Sequence, residues 1–378
     1  MRDAFLLDPD LVFLNHGSFG ACPRDVFRVF QSWQLELERN PVEFLSRRSA
    51  GLLMAARSQL ATYLGAAAEH LVFMPNATTA VNTVARALDL RPGDEVLATD
   101  HEYGACDAAW RWVCERAGAH YRRVEVPLPF DRASFAERML AEAGPRTRLI
   151  FCSHITSTTA LTFPVTELCA GAREQGVLTL IDGAHAPGQL ELDLGALGAD
   201  FYAGNCHKWL RAPKGSAFLH ARPEHHELLQ GLVVSWGYVG EGLGHEAYAG
   251  ESLLERRLQW QGTRDIAAAL AVPAAIDFQQ QHDWPAQRAR CHALAGAVLR
   301  ELGGRYGLPP IGRDDDWVQM VALPVPHRDS EGLRAALFAR GIEIPVTQHA
   351  GRCFVRLSVQ VYNDGADMDR LLAALSAA

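Results

Sequence analysis

Residues 179–219 read TLIDGAHAPGQLELDLGALGADFYAGNCHKWLRAPKGSAFL, and this stretch decides the fold. A short apolar run over 177–181 ends on Asp182. A second, over 201–203, leads through Gly204, Asn205, Cys206 and His207 to Lys208. A further strand-like run follows at 216–219. Apolar runs of this length, bounded by Gly, Pro and Asp, read as buried strands. In an open α/β sheet, ligands collect beyond the carboxyl ends of the strands. Asp182 and Lys208 therefore fall where a ligand sits.

The pair has a specific chemistry. A lysine at a strand end forms a Schiff base with an aldehyde cofactor. An aspartate beside it holds a pyridine nitrogen protonated, and a protonated pyridine ring draws charge away from a carbanion on an attached amino acid. The plainer alternative is a solvated lysine and a helix-capping aspartate. The motifs in the rest of the chain weigh against it.

DGAHAPGQ followed by GNCHKWL resembles the class V aminotransferase family, whose members are fold type I pyridoxal-phosphate (PLP) enzymes. Within the family it looks most like the isopenicillin N epimerase-like branch, with cysteine desulfurases more distant. The resemblance runs over 15–363. It implies an α/β fold: a large domain with a mostly parallel sheet, and a smaller α+β C-terminal domain. The expected division is an N-terminal arm at 1–20, a large PLP-binding domain at 21–264, and a linking helix with the small domain at 265–378.

Composition narrows the partners. The chain has 378 residues, 48% of them hydrophobic, which suits one large core and one smaller one. Its formal charge is −8, and no basic block points to nucleic acid or to a membrane surface. The first residues, MRDAFLLDPDLVFLNHG, place acidic groups within the apolar part and do not read as a signal peptide. No apolar run approaches a membrane span. Eight cysteines form no CxxC and no zinc-like spacing, which reads as reduced thiols in a cytoplasmic enzyme.

Further site residues follow along the chain. LNHGSFG reads as a strand and turn, with Gly17 and Gly20 suited to positive φ or close backbone approach. The resemblance brings this arm back to the active-site mouth and places Asn15 near the substrate. HLVFMPNATTAVNTVARAL reads as strand, turn and helix, and a helix N-terminus is a natural phosphate site. The resemblance puts the cofactor phosphate on Ala77 and Thr78. It stacks Tyr103 over the cofactor ring and brings Thr156 or Ser157 to the phenolic oxygen or the phosphate. It sets His185 at the phenolic oxygen and Asn205 and His207 at the phosphate. Residues 261–264 would reach across a homodimer interface, so that Thr263 meets the partner's cofactor; the alternative is that Thr263 caps the next helix. Arg356 occupies the position that binds the substrate α-carboxylate, for which an Arg fork is suited.

A helix is expected over 265–282, with Pro273 as a kink. The small domain is expected as strand 317–323, helix 330–340, strands 342–346 and 352–360, and helix 365–376. The implied substrate is a small molecule, an amino acid attacked at Cα. Epimerisation, C–S lysis and transamination all use this machinery. Desulfuration fits poorly, because Cys353 lies only three residues before Arg356 on a strand-like run. A catalytically inactive binding module would not need Lys208, Asp182, Thr78 and Arg356 together.

Overall fold

A computed structural model defines the fold, and the described residues are 1–238, 250 and 252–377. The strands are β1 Val12–Phe13, β2 Leu71–Met74, β3 Glu95–Thr99, β4 His120–Val124, β5 Thr147–Ser153, β6 Leu178–Gly183, β7 Phe201–Asn205, β8 Ala217–Ala221, β9 Met320–Val325, β10 Ile342–Glu343, β11 Val346–His349 and β12 Arg352–Ser358. The main sheet has the order β2-β8-β7-β6-β5-β3-β4. From β7 to β4 every pairing is parallel. β8 runs against both β7 and β2. β2 consequently points the same way as β7, and the helix after it opens at the same edge.

The central strands are buried along their length: LVFM in β2, FYAGN in β7 and AFLHA in β8 expose nothing. Such continuous apolar runs belong to a sheet covered on both faces. Alternation sorts their side chains into two cores. Val72, Val96, Phe151, Leu180 and Ala203 pack under the helices Ala77–Ala87 and Gly104–Ala117. Phe73, Leu97, Ile150, Ile181 and Tyr202 face the other side, with the helices Ser49–Leu64 and Val165–Glu174. The period of two makes this a three-layer arrangement.

Residues from the C-terminal part build an antiparallel sheet, β11-β12-β9. The expected strand over 342–346 is in fact two. Ile342–Glu343 pairs in parallel with β1, and Val346–His349 joins β12. Pro345 separates them, because it has no N–H to give to a ladder. The helix expected over 265–282 is also two pieces, Ala267–Leu270 and Val272–Gln280. Pro273 opens the second piece rather than kinking one helix, since a first-turn N–H has no helical partner to lose. The longest helix, Trp284–Tyr306, has no counterpart among the elements expected from sequence. Asp283 caps it and Pro285 stands in its first turn, but Gly296, Gly303 and Gly304 dilute its apolar face. No helix among the described residues is long and apolar enough to cross a membrane.

The N-terminal arm is more than a turn. After β1 comes one helical turn, His16–Phe19, stopped by Gly20 at φ +71°. Gly17 is needed for close approach: a Cβ there would stand 2.7 Å from Met320 Sδ. At Gly20 both reasons apply, since a Cβ would meet the carbonyl of His207 at 2.1 Å.

Candidate active site

The carboxyl ends of β2, β5, β6 and β7 surround a cavity of about 370 Å³. β6 delivers Asp182 and β7 delivers Asn205, with His207 and Lys208 just beyond it; all four line the cavity. Ala77 and Thr78 enter at the start of the helix Ala77–Ala87, where Asn76 caps by accepting from the Thr79 N–H at 2.8 Å. Asn205 Oδ1 accepts from the Ala77 N–H at 2.8 Å and so pins that helix start to β7. Tyr103, Ser157 and His185 complete the expected wall residues.

Lys208 Nζ lies 3.2 Å from His185 Nε2, and Trp209 Nε1 donates to His185 Nδ1 at 3.2 Å. Burial, reinforced by Arg356, pushes the Lys208 amine down to about 8, while Asp182 and Cys106 oppose the shift. Burial raises the Asp182 carboxyl; the Ala184 N–H, donating to Oδ1 at 2.9 Å, and Lys208 pull the other way. Burial lowers His185 well below the usual histidine range and His207 to about 4, so both rings are neutral near pH 7.

Arg356, on β12, is only 5% exposed and has neutral partners only. Nη1 donates to the Ser157 carbonyl at 2.6 Å and to Ser157 Oγ at 3.2 Å. Nη2 donates to Ser18 Oγ at 3.0 Å and to Asn15 Oδ1 at 3.4 Å. Its Nε is buried and has no partner among the described residues. A buried guanidinium without a carboxylate partner keeps an uncompensated charge and an unused donor.

One expected residue turns away from the cavity, and another was expected at a partner subunit's cofactor rather than in this cavity. Thr156 is fully buried and its hydroxyl is spent on a turn, accepting from the Leu161 N–H at 2.9 Å and bonding Thr159 Oγ1 at 2.8 Å. Ser157 is the member of that pair which lines the cavity. Thr263 is exposed and is not among the lining residues. Nor does it cap the following helix: Asp265 Oδ1 accepts from the Ala267 N–H at 2.7 Å.

Sequence reasoning missed Ser18 and Phe19, which line the cavity from the arm, and Ser153, which lines it from β5. It also missed His16, which bridges the Lys208 carbonyl (3.0 Å) and the Tyr362 hydroxyl (2.9 Å). LNHGSFG held the signal for the arm residues, because a helical turn, unlike a strand, aims His16 and Ser18 across the site.

The class V aminotransferase model matches residues 22–371. The chain belongs to the class V aminotransferase family. The isopenicillin N epimerase of Streptomyces clavuligerus is 41% identical over 385 residues, covering 100% of this chain and 97% of that protein. The "Probable L-cysteine desulfhydrase, chloroplastic" of Arabidopsis thaliana is 30% identical, over 98% of this chain and 83% of its own. Among solved structures, a mutant of C-DES with glycine covalently linked to its PLP cofactor superposes with a TM-score of 0.86 at 23% identity, over 100% and 99% of the two chains.

Pyridoxal 5'-phosphate is the cofactor of this family, and the donor set fits it. An amine, a buried carboxyl and a helix N-terminus share one cavity, which suits an aldehyde, a pyridine nitrogen and a phosphate respectively. Lys214, the nearest other lysine, is engaged with the Gly20 carbonyl at 2.9 Å and does not line the cavity.

Proposed function

We propose that the protein is a PLP-dependent amino-acid epimerase of the isopenicillin N epimerase type, acting at the Cα of a substrate with a free α-carboxylate. The observation that carries this reading is the buried, carboxylate-free guanidinium of Arg356 beside the Lys208 cavity. The 41% identity to an isopenicillin N epimerase over the whole chain supports it.

In this reading Lys208 would carry the cofactor, Asp182 would serve its ring nitrogen, and Thr78 with the Ala77–Ala87 helix start and His207 would hold its phosphate. Tyr103 and His185 would contact its ring and its phenolic oxygen. The bound cofactor supplies an electron sink for charge developing at Cα. Arg356 fixes the substrate carboxylate and thereby orients the Cα–H bond, with Asn15 and Ser18 holding the guanidinium in place. Once the substrate amine has taken its place on the cofactor, the freed Lys208 amine would be the group positioned to take the Cα proton. Returning a proton to the opposite face inverts the centre. If a leaving group sits on Cβ instead, the same first step ends in C–S lysis, a second reading favoured by the 30% identity to a desulfhydrase-named relative.

The protein acts in the cytoplasm as a homodimer, with Thr263 reaching the partner's cofactor. Its eight free cysteines and the exposure of Thr263 support that reading.

The test incubates holoenzyme in D₂O with isopenicillin N and with a panel of L- and D-amino acids. Deuterium at Cα of the opposite enantiomer is expected. Pyruvate-type product with ammonia would select the lyase. Turnover without any Cα exchange would overturn both.

A further inference from the structure

Glu343 on β10 has no part in the chemistry above. Its side chain accepts from Asn15 Nδ2 at 3.1 Å, and it forms no ion pair among the described residues. The backbone sets Asn15 between this side chain and Arg356. β1 lies in parallel on β10, with Phe13 opposite Glu343. The Leu14 N–H donates to the Glu343 carbonyl at 3.0 Å, and the Leu14 carbonyl accepts from the Ser358 N–H at 3.0 Å. The arm is therefore laid between β10 and the end of β12, the strand that carries Arg356. Pro345 closes the frame, its carbonyl accepting from the Arg356 N–H at 3.0 Å.

Along the side chains the donors all run one way. Arg356 Nη2 donates to Ser18 Oγ at 3.0 Å, Ser18 Oγ donates to Asn15 Oδ1 at 2.5 Å, and Asn15 Nδ2 donates to Glu343 Oε1 at 3.1 Å. The two ends set that direction. A guanidinium has no acceptor and a carboxylate has no donor, whereas the hydroxyl and the amide between them can each be turned either way. At the Arg356 end the amide is held by a contact of 3.4 Å from Nη2 to Oδ1. The shorter bond is at the Glu343 end.

We propose that Glu343 is a positioning residue for substrate binding, which fixes the Asn15 amide, through it the Ser18 hydroxyl, and so presents two oxygens to Nη2 of Arg356. Turned over, the amide would offer its NH₂ to the guanidinium, and a donor facing a donor displaces it. The intervening amide has a second effect. Glu343 orients the arm without pairing directly with Arg356, so the fork stays open to an incoming carboxylate. The relay stands on these contacts alone; its consequence for the substrate rests on the reading of Arg356 as the carboxylate site.

The test titrates wild-type holoenzyme, Glu343→Leu, Glu343→Gln and Arg356→Lys with L-alanine and with ethylamine, the same molecule without its carboxylate, and follows cofactor absorbance. E343L should weaken L-alanine binding about tenfold, as expected for losing one hydrogen bond to a charged group, and leave ethylamine within about twofold. E343Q keeps an oxygen that accepts from Asn15 and should recover most of the lost affinity. Equal weakening of both ligands in E343L would reduce Glu343 to a support of the arm and overturn the proposal. Unchanged L-alanine binding in E343L, or E343Q no better than E343L, would overturn it too. If E343L does not fold, the smaller E343A removes the same acceptor and should show the same split between the two ligands. Failure of the Arg356 reading would show separately, as L-alanine binding to R356K with wild-type affinity.

Discussion

Trp209 Nε1 donates to His185 Nδ1 across 3.2 Å. An indole can only donate, so this contact makes Nδ1 the acceptor and leaves the proton of the neutral ring on Nε2. That N–H points at Lys208 Nζ, 3.2 Å away. A charged ammonium cannot accept it; a neutral amine can. The tryptophan next to the lysine therefore biases the lysine toward its reactive form, with the histidine as intermediary.

The first prediction concerns cofactor capture. The Lys208 amine sits near 8, so the apoprotein should bind PLP at a rate that falls about tenfold per pH unit below that midpoint. Above it the rate should level off. Trp209→Phe removes the indole donor, frees the His185 tautomer and should move the midpoint upward. Stopped-flow absorbance reads both; a rate that is flat from pH 6 to 9 would refute the assignment.

Borohydride reduction of the holoenzyme followed by peptide mapping should find the pyridoxyl group on Lys208. Finding it on Lys214 would sink the site.

Arg356→Lys keeps the charge but loses the fork. Charge-assisted hydrogen bonds of this kind are worth about 1.5–3 kcal/mol, so KM should rise about 10- to 100-fold, with a smaller change in kcat. Steady-state kinetics checks this, and an unchanged KM would place the substrate carboxylate elsewhere.

Asp182→Asn should retain some cofactor yet slow exchange of the Cα proton by about 10- to 100-fold, the same 1.5–3 kcal/mol expressed on a rate. Near-normal deuterium incorporation in this variant counts against the role.

Gly20→Ala combines a left-handed φ of +71° with a Cβ 2.1 Å from the His207 carbonyl. The backbone term alone is about 1–2 kcal/mol, and the collision pushes on the segment that carries Lys208. Both the melting temperature and cofactor occupancy should fall. Gly51→Ala is the control: it lies in the helix Ser49–Leu64 with nothing within 4 Å, and should gain about 0.5–1 kcal/mol. Equal effects at the two sites would mean that the arm's approach to Lys208 is dispensable.

Much of this was legible in the chain itself. The runs ending at Asp182 and Asn205 are too apolar and too short to be anything but buried strands, and once they lie parallel their ends must share an edge. The helix Gly365–Ser376 was equally plain, with Asp364 as its cap and a regular apolar face. Two kinds of feature were not legible. Thr156 and Ser157 are adjacent and chemically alike; only the folded turn, in which Thr156 Oγ1 accepts from the Leu161 N–H, shows which hydroxyl is engaged away from the cavity. Glu102 drew no reading from the sequence, because nothing local announces that Thr99 and Ser153 will close over it.

The first twenty residues tie together parts of the chain that are made far apart in time. Val12 pairs with Ile342, His16 reaches Tyr362, Arg356 reaches Ser18, and the Phe13 carbonyl accepts from Asn363. These contacts close loops of more than three hundred residues, among the slowest events in folding. On the ribosome the arm emerges ahead of the segments it contacts and must wait for them. The main sheet, whose strands run in sequence from β2 to β8, can assemble and present Lys208 well before then. A chain lacking β12 would thus have its lysine in place and its arm without the Arg356 contacts to Asn15 and Ser18. Synthesis itself orders the assembly of the site: the lysine wall first, the arm's wall last.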